Sequence, residues 1–188
     1  MTTNRITDAV AEAVTLDEAK AQCRVDSSEH DALLESLIAG TRRTFEQLTG
    51  RSVITTTWEL VLDQFADAMP LYFPNVIAVA SVKFIDTDGV EQTLDPQDYL
   101  VDTDSKPGWV VPAYGTSWPS TRAQINAVRV RYTAGYGATA ADVPENVKMW
   151  MKAHIAHWFK NAESSVIGAS VERLPFIDHL IDSERVWA

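Results

Sequence analysis

The strongest constraint on this chain is that its hydrophobic periodicity changes twice, from helical to alternating and back to helical. Over residues 29–49, apolar side chains recur every three or four positions, which is the pattern of a helix with one buried face. Residues 53–62 and 128–132 alternate apolar and polar side chains, as strands do. From Glu145 a Trp-rich run returns to helical spacing. The sequence therefore predicts helices at both ends and a β-rich region between them.

Three helices are predicted, at about residues 16–24, 29–49 and 145–162. Thr15 and Glu18 have the spacing of a capping box, which predicts the start of the first helix, and a glycine follows the second at residue 50. The second helix is expected to face the core with Leu33, Leu34, Leu37, Ile38, Thr41, Phe45 and Leu48. The third is expected to do so with Val147, Trp150, Met151, His154, Ile155, Trp158 and Phe159.

The region between the second and third helices, residues 53–133, is predicted as an insertion of short antiparallel strands. Its clearest turn is Asp86-Thr87-Asp88-Gly89, a hairpin signal between two alternating runs. Neither long helix can bury its apolar face alone, so packing one against the other should bring the ends of the insertion together. The predicted fold is α+β: a small helical bundle with an inserted antiparallel β-rich sub-domain and a C-terminal docking segment.

Composition and charge exclude several functions. The 188 residues carry a net charge of −10, and neither end nor the middle is basic, which disfavours a protein that grips duplex DNA. No apolar run is long enough to predict a membrane span, and the first residues do not predict a signal peptide. The single cysteine, Cys23, has no partner within the chain and fits a reducing cytoplasm.

The residues that could carry catalysis do not form a recognisable site. His154 and His157 share a helix face at a spacing of three and could bind one metal ion, but a zinc site needs a third ligand, and Glu145 and Glu163 are poorly spaced for it. Gly135 and Gly137 lack the rest of a phosphate-binding loop. The sequence thus predicts no catalytic, cofactor-binding or metal-binding residues. The alternative to a protein without catalytic function is a small metal-dependent enzyme that uses His154 and His157.

The two termini are predicted to act outside the body of the fold at residues 15–162. Residues 1–14 are small and polar and predict a mobile arm, and residues 163–188 predict a hinge followed by a docking segment. The residues expected to contact a partner protein are Phe176, Ile177, Leu180, Ile181, Val186 and Trp187. For Trp187 an alternative is that the tail folds back on its own domain.

Several stretches resemble the head–tail connector (neck adaptor) proteins of tailed bacteriophages. They are "LDEAKAQCRVDSSEHDALLESLIAGTRRTFEQLTGRSVITTTWEL", the hairpin followed by "TLDPQDYLVD", and "VRVRYTAGYG…DVPENVK" ahead of "WMKAHIAHWFKNAE". The resemblance covers roughly residues 15–165. The first 14 residues and about the last 20 show no such resemblance.

The resemblance implies a structural virion protein without enzymatic activity or cofactor, made in the bacterial cytoplasm and placed in the virion neck. Such proteins form a twelve-fold ring below the portal, extend the DNA channel and support a head-closure (stopper) or tail-completion protein. The implied partners are further copies of the chain, the portal and that next protein, with DNA only as passing cargo and no membrane. A non-phage adaptor module is a further alternative.

Overall fold

The middle of the chain and its two flanks form separate compact units. In the computed structural model, which describes residues 1–161 and 175–186, the β unit comprises residues 1–9 and 55–135. The helical unit comprises residues 10–54 together with the described residues from 136 onward. The chain therefore passes from helical to β structure and back, as the change of periodicity predicts.

The helical unit contains α1 (Leu16–Cys23), α2 (Asp31–Thr49), α3 (Glu145–Lys160) and α4 (Pro175–Asp178), which continues as a 3-10 helix over His179–Glu184. The predicted capping box begins α1: the Glu18 amide donates to Thr15 Oγ1 at 3.2 Å, and the Thr15 amide donates to Glu18 Oε2 at 2.9 Å. Gly50 ends α2 in the left-handed conformation, with φ of 68°.

The core of the helical unit lies between α2 and α3. Phe45 and Trp150 meet edge to face with ring centroids 5.7 Å apart, and neither side chain is exposed. The other fully buried apolar side chains of these two helices are Leu34, Ile38, Val147, Met151 and Ile155. The predicted pairing of the second helix with the third is therefore present.

The buried face of α2 differs from the predicted one. Leu33 and Leu48 are 40% and 46% exposed, and Leu37 is only half-buried. Arg42 and Glu46 are buried instead, at 2% and 1% exposure. The buried face is rotated because Arg42 and Glu46 have charged and polar partners inside the unit, which hydrophobic spacing alone does not reveal.

The β unit is built from two sheets. The first has strand order β1-β2-β8-β4-β5, formed by Thr2–Arg5, Thr56–Leu62, Val128–Ala134, Val76–Ile85 and Glu91–Thr93. The second has order β3-β7-β6, formed by Met69–Leu71, Gly108–Pro112 and Tyr99–Asp102. All pairings between these strands are antiparallel.

The two sheets share one hydrophobic core. The first sheet contributes residues such as Leu60, Val130 and Tyr132, and the second contributes Met69 and Val110. Tyr132 donates its hydroxyl hydrogen to the Tyr72 carbonyl at 2.6 Å, so this buried polar atom has a partner. The α+β fold predicted from the sequence, with an antiparallel β-rich insertion, is confirmed.

The predicted hairpin follows β4. The Gly89 amide donates to the Asp86 carbonyl at 3.0 Å, and the Asp86 carboxylate accepts from the amides of Asp88 and Val90 at 3.0 and 2.9 Å. Gly89 has φ of 87°, a conformation that a side chain would disfavour. These contacts lower the pKa of Asp86, the hydrogen bond from Gln92 being the largest cause.

The expectation of a mobile arm at residues 1–14 is wrong for the first part of that segment. Thr2–Arg5 forms β1, which pairs with β2 over Thr2–Val61 to Arg5–Trp58. Arg5 lies over the Trp58 ring at 4.9 Å. Ala13 and Val14 are fully buried in the helical unit. A short polar segment can still add an edge strand, because most of the gain comes from backbone hydrogen bonds to β2.

None of the helices in the described ranges, 1–161 and 175–186, is long and apolar enough to cross a membrane.

We expect two adjacent leucines of α2 to differ sharply in their effect on stability. Leu34→Ala should lower the free energy of unfolding by about 2–5 kcal/mol, because the side chain is fully buried between helices. Leu33→Ala should cost about 1 kcal/mol or less, because that side chain is 40% exposed. Urea unfolding followed by far-UV circular dichroism measures both. Equal losses would contradict the observed rotation of the buried face.

Candidate assembly surfaces

The segment predicted to dock on a partner packs against its own helical unit. Ile181 is fully buried, while Ile177, Leu180 and Val186 are half-buried. The Val186 amide donates to the Thr49 carbonyl at the end of α2, at 2.9 Å. Ile181 therefore belongs to the subunit's own core and is not exposed to a partner in this conformation.

The remaining predicted contact residues are only partly described. Phe176 lies in α4, of which the backbone is described at that position, and Trp187 lies outside the described residues. The predicted hinge, residues 163–172, also lies outside them. Of the predicted set, Ile177, Leu180 and Val186 retain accessible surface in the described part of the segment.

A cluster of polar side chains around Glu184 holds the end of the C-terminal segment to the helical unit. The Tyr136 hydroxyl donates to Glu184 Oε2 at 2.5 Å, and Asn146 Nδ2 donates to Glu184 Oε1 at 3.3 Å. Arg51 Nε donates to the Glu184 carbonyl and lies 3.5 Å from Glu184 Oε2. We call Arg51, Tyr136, Asn146 and Glu184 the Glu184 cluster. It joins the residues just after α2, the residues that return from the β insertion, and the C-terminal segment.

Burial controls the ionisation of the cluster's phenol. It raises the pKa of Tyr136 far above its ordinary value, and the neighbouring Glu184 carboxylate raises the pKa further because a second negative charge there would be repelled. Tyr136 therefore remains a hydrogen-bond donor at neutral pH, as its contact with Glu184 requires.

A second contact holds α4 to α3 through Asp178. Trp150 Nε1 donates to Asp178 Oδ1 at 3.2 Å. His154 Nε2 lies 3.6 Å from the same oxygen. The His154 ring stacks on Trp150 at 3.9 Å between centroids, and its Nδ1 lies 3.0 Å from the Trp150 carbonyl, which can only accept. His154 thus fills a packing position between α3 and α4.

The geometry does not bring the two histidines together with further ligands. His154 is engaged by Trp150 and Asp178, and His157 lies half-buried one turn further on α3. Within the ranges 1–161 and 175–186, no group of three or more His, Cys, Asp or Glu residues is placed to hold a metal ion.

A buried ion-pair network in the helical unit was not predicted from the sequence. Arg42 donates to both oxygens of Glu12, from Nε at 2.8 Å and from Nη2 at 3.1 Å. Its Nη1 lies 3.5 Å from Glu46 Oε2, and Glu46 Oε1 accepts from the Val53 amide at 3.1 Å. The only available sequence signal was the spacing of four between Arg42 and Glu46, which is common on exposed helix faces.

The outer face of the five-stranded sheet carries a ladder of charges. Arg129 Nη1 and Arg131 Nη2 bind the two oxygens of Glu59 at 2.8 and 2.9 Å. Lys83 lies opposite Arg129 in register and binds Glu91 at 2.7 Å. The side chains of Arg129, Arg131 and Lys83 are 44%, 48% and 43% exposed. This face is therefore polar, accessible and locally positive in an acidic chain.

Part of the first half of the chain is similar to a known family. Residues 13–96 match the model of the family described as phage gp6-like head-tail connector protein. The resemblance to head–tail connector proteins is confirmed. The matched stretch contains α1, α2 and the strands β2 to β5. No protein with a curated description matches the chain significantly.

Solved structures share the fold of this chain over the whole length of the chain. A chain in the neck of an empty gene transfer agent (GTA) particle, computed with C6 symmetry, is 21% identical with a TM-score of 0.82. A chain in the virion of the native GTA particle is 20% identical with a TM-score of 0.82, and one in the neck of the native particle, computed with C12 symmetry, is 21% identical with a TM-score of 0.76. In all three, the match covers 100% of this chain and 97% of the other.

We expect Glu184→Ala to loosen the C-terminal segment. The substitution removes the carboxylate that accepts from Tyr136 and Asn146 and lies 3.5 Å from Arg51, and it should cost about 3 kcal/mol of unfolding free energy. Hydrogen exchange should speed up across residues 175–186. Asp182→Ala is the control, because it removes an equal charge from an exposed position of the same 3-10 helix and should leave both readouts nearly unchanged. Equal effects would contradict a role for the cluster in holding the segment.

The stability of the protein should fall above about pH 10, where an ordinary tyrosine loses its proton. The unfolded chain releases the Tyr136 proton there while the folded chain keeps it, so rising pH favours unfolding. Tyr136→Phe should make this decline shallower, as measured by urea unfolding between about pH 8 and 11. Tyr114→Phe, at a fully exposed position, should keep the wild-type slope. An unchanged slope in Tyr136→Phe would show that the phenol is not held protonated.

Proposed function

We propose that this protein is a structural adaptor subunit of a virion neck. The observation that carries the proposal is the agreement of two comparisons: residues 13–96 match head–tail connector proteins, and the full chain has the fold of a chain found in the necks of GTA particles. The role is assembly through complementary surfaces, without enzymatic turnover.

The proposed assembly is a ring of twelve copies. A ring needs a heterologous interface, in which one face of each subunit meets a different face of its neighbour. The related necks computed with C6 and C12 symmetry support a cyclic arrangement whose copy number is compatible with twelve. The chain's net charge of −10 fits a subunit that stays soluble and separate until a template gathers it.

The proposed template is the portal of the DNA-filled head. The ring would extend the portal channel and present a platform for the head-closure or tail-completion protein. An acidic channel wall would repel the passing DNA backbone and prevent it from sticking. DNA is thus cargo, with no binding site proposed on the chain.

The C-terminal segment is proposed to contact the portal through the side that is not packed against the helical unit. Ile181 and Glu184 hold it to the helical unit, so its accessible side, with Ile177, Leu180 and Val186, would face the portal. Phe176 and Trp187 are proposed to take part with them. Because removal of the whole segment also removes a core residue, truncation would test folding and binding together. Single substitutions such as Leu180→Asp separate the two.

We expect the purified protein to be monomeric or weakly associated alone and to form twelve-membered rings on its portal. Native mass spectrometry of the chain, of the portal and of their mixture gives the copy number directly. Leu180→Asp should reduce portal attachment in a variant that still unfolds cooperatively on heating, which shows that the fold survives the charge at this half-buried position. A tight dimer with a closed two-fold interface, in the mixture as well as alone, would contradict the proposed assembly.

A further inference from the structure

The two outer faces of the β unit have opposite charge. In β8, Val128, Val130 and Tyr132 point into the shared core, so Arg129 and Arg131 lie on the outer side of the five-stranded sheet. We call Lys83, Arg129 and Arg131, with the carboxylates of Glu59 and Glu91, the basic face. Three cations and two carboxylates leave it a local excess of one positive charge.

The outer side of the three-stranded sheet is apolar at its centre and acidic at its margins. Tyr99 and Val110 point into the core, so Leu100, which is 56% exposed, lies on the outer side opposite Val111. The carboxylates at the ends of β6 are Asp95, Asp98, Asp102 and Asp104, with Lys106 the one cation in the adjoining turn. We call Leu100 and these charged residues the acidic face.

Local hydrogen bonds keep Asp102 of the acidic face charged. Asp102 Oδ1 accepts from the amides of Asp104 and Ser105 at 2.9 and 3.1 Å. The hydrogen bond from the Ser105 side chain, followed by those from the two amides, lowers the pKa of Asp102. Asp102 therefore keeps its negative charge throughout the neutral range.

The positions of the two faces fit a ring. Because the two sheets share one core, their outer sides point away from each other. In a ring of twelve, successive copies turn by only about 30°, so the two contacting faces of each copy must point in nearly opposite directions. A protein whose opposite faces carry opposite charge can meet this requirement with copies of itself.

We infer that the acidic face of one copy packs against the basic face of the next, and that this head-to-tail contact of β units closes the ring. Leu100 would be the apolar centre of the contact, surrounded by charge pairs from Asp98 and Asp104 to Lys83 and Arg131. The inference rests on the proposed ring and adds the surfaces that form it. Duplex DNA is a poorer occupant of the basic face, because one excess charge releases few counterions.

Charge reversal of each face tests the inference. Ser81→Glu with Lys83→Glu makes the basic face acidic while keeping Arg129, Arg131 and Glu59 intact. Asp98→Lys with Asp104→Lys makes the acidic face basic. Each variant alone should lose ring formation on the portal by native mass spectrometry. An equimolar mixture should restore rings in which the two chains alternate, because every contact again joins opposite charges.

Matched controls place the same charge changes on exposed positions of the helical unit. Ser27→Glu with Lys160→Glu, and Asp26→Lys with Glu29→Lys, should form rings like the wild type. Restored rings in the mixture would also show that both reversed variants fold.

The outcomes separate the inference from the proposed function. Rings formed by either reversed variant alone, or no rings in their mixture, would overturn the inference while wild-type rings keep the adaptor function. No ring from the wild type on its portal would overturn the proposed function. Wild-type binding to a short duplex at physiological salt, lost in Ser81→Glu with Lys83→Glu, would assign the basic face to DNA and also overturn the inference.

Discussion

The fold depends on the place where the chain leaves the helical unit and returns to it. Inside that unit, the Tyr136 amide donates to the Val53 carbonyl at 3.1 Å, and Ile54 forms a parallel bridge with Gly137. Inside the β unit, Thr56 pairs with Ala134. The two ends of a long insertion are thus side by side in each unit, so α3 can return to α2 as if the insertion were a short loop. The pairing of residues 53–54 with residues 136–137 brings together the two separate stretches of chain that form the core of the helical unit.

Buried charges stabilise the structure next to residues 53–54 and 136–137. Glu46 binds the Val53 amide and pairs with Arg42, while Arg51 binds Glu184 of the C-terminal segment. Removing one member of such a pair takes a partner away from a buried charge, which is costly inside the unit. The same contacts hold the C-terminal segment in a defined position, so a partner would meet a surface that is largely ordered beforehand and would lose less entropy on binding.

Local patterns predicted much of the fold. The helices, the hairpin at Asp86–Gly89 and the strand order along the chain follow from caps, turn residues and periodicity, all of which act between near neighbours in sequence. The errors concern contacts between distant residues. The first residues form β1 because the edge of β2 is available for backbone hydrogen bonds. The buried face of α2 includes Arg42 because Arg42 binds Glu12. The segment that contains Ile181 packs on the helical unit, where Arg51, Asn146 and Tyr136 bind Glu184. For the candidate surfaces, the apolar residues near the C-terminus are apparent from the sequence, but the opposite charges on opposite sides of the β unit are not, because they depend on how the two sheets pack.

A ring of this chain in a virion neck would be visible by electron cryo-microscopy of particles that contain it. We expect density for twelve copies in one layer between the portal and the next neck protein, with each β unit contacting the β units of its two neighbours through different faces. Absence of the chain from the neck, or its presence there as two-fold dimers, would rule out the proposed ring.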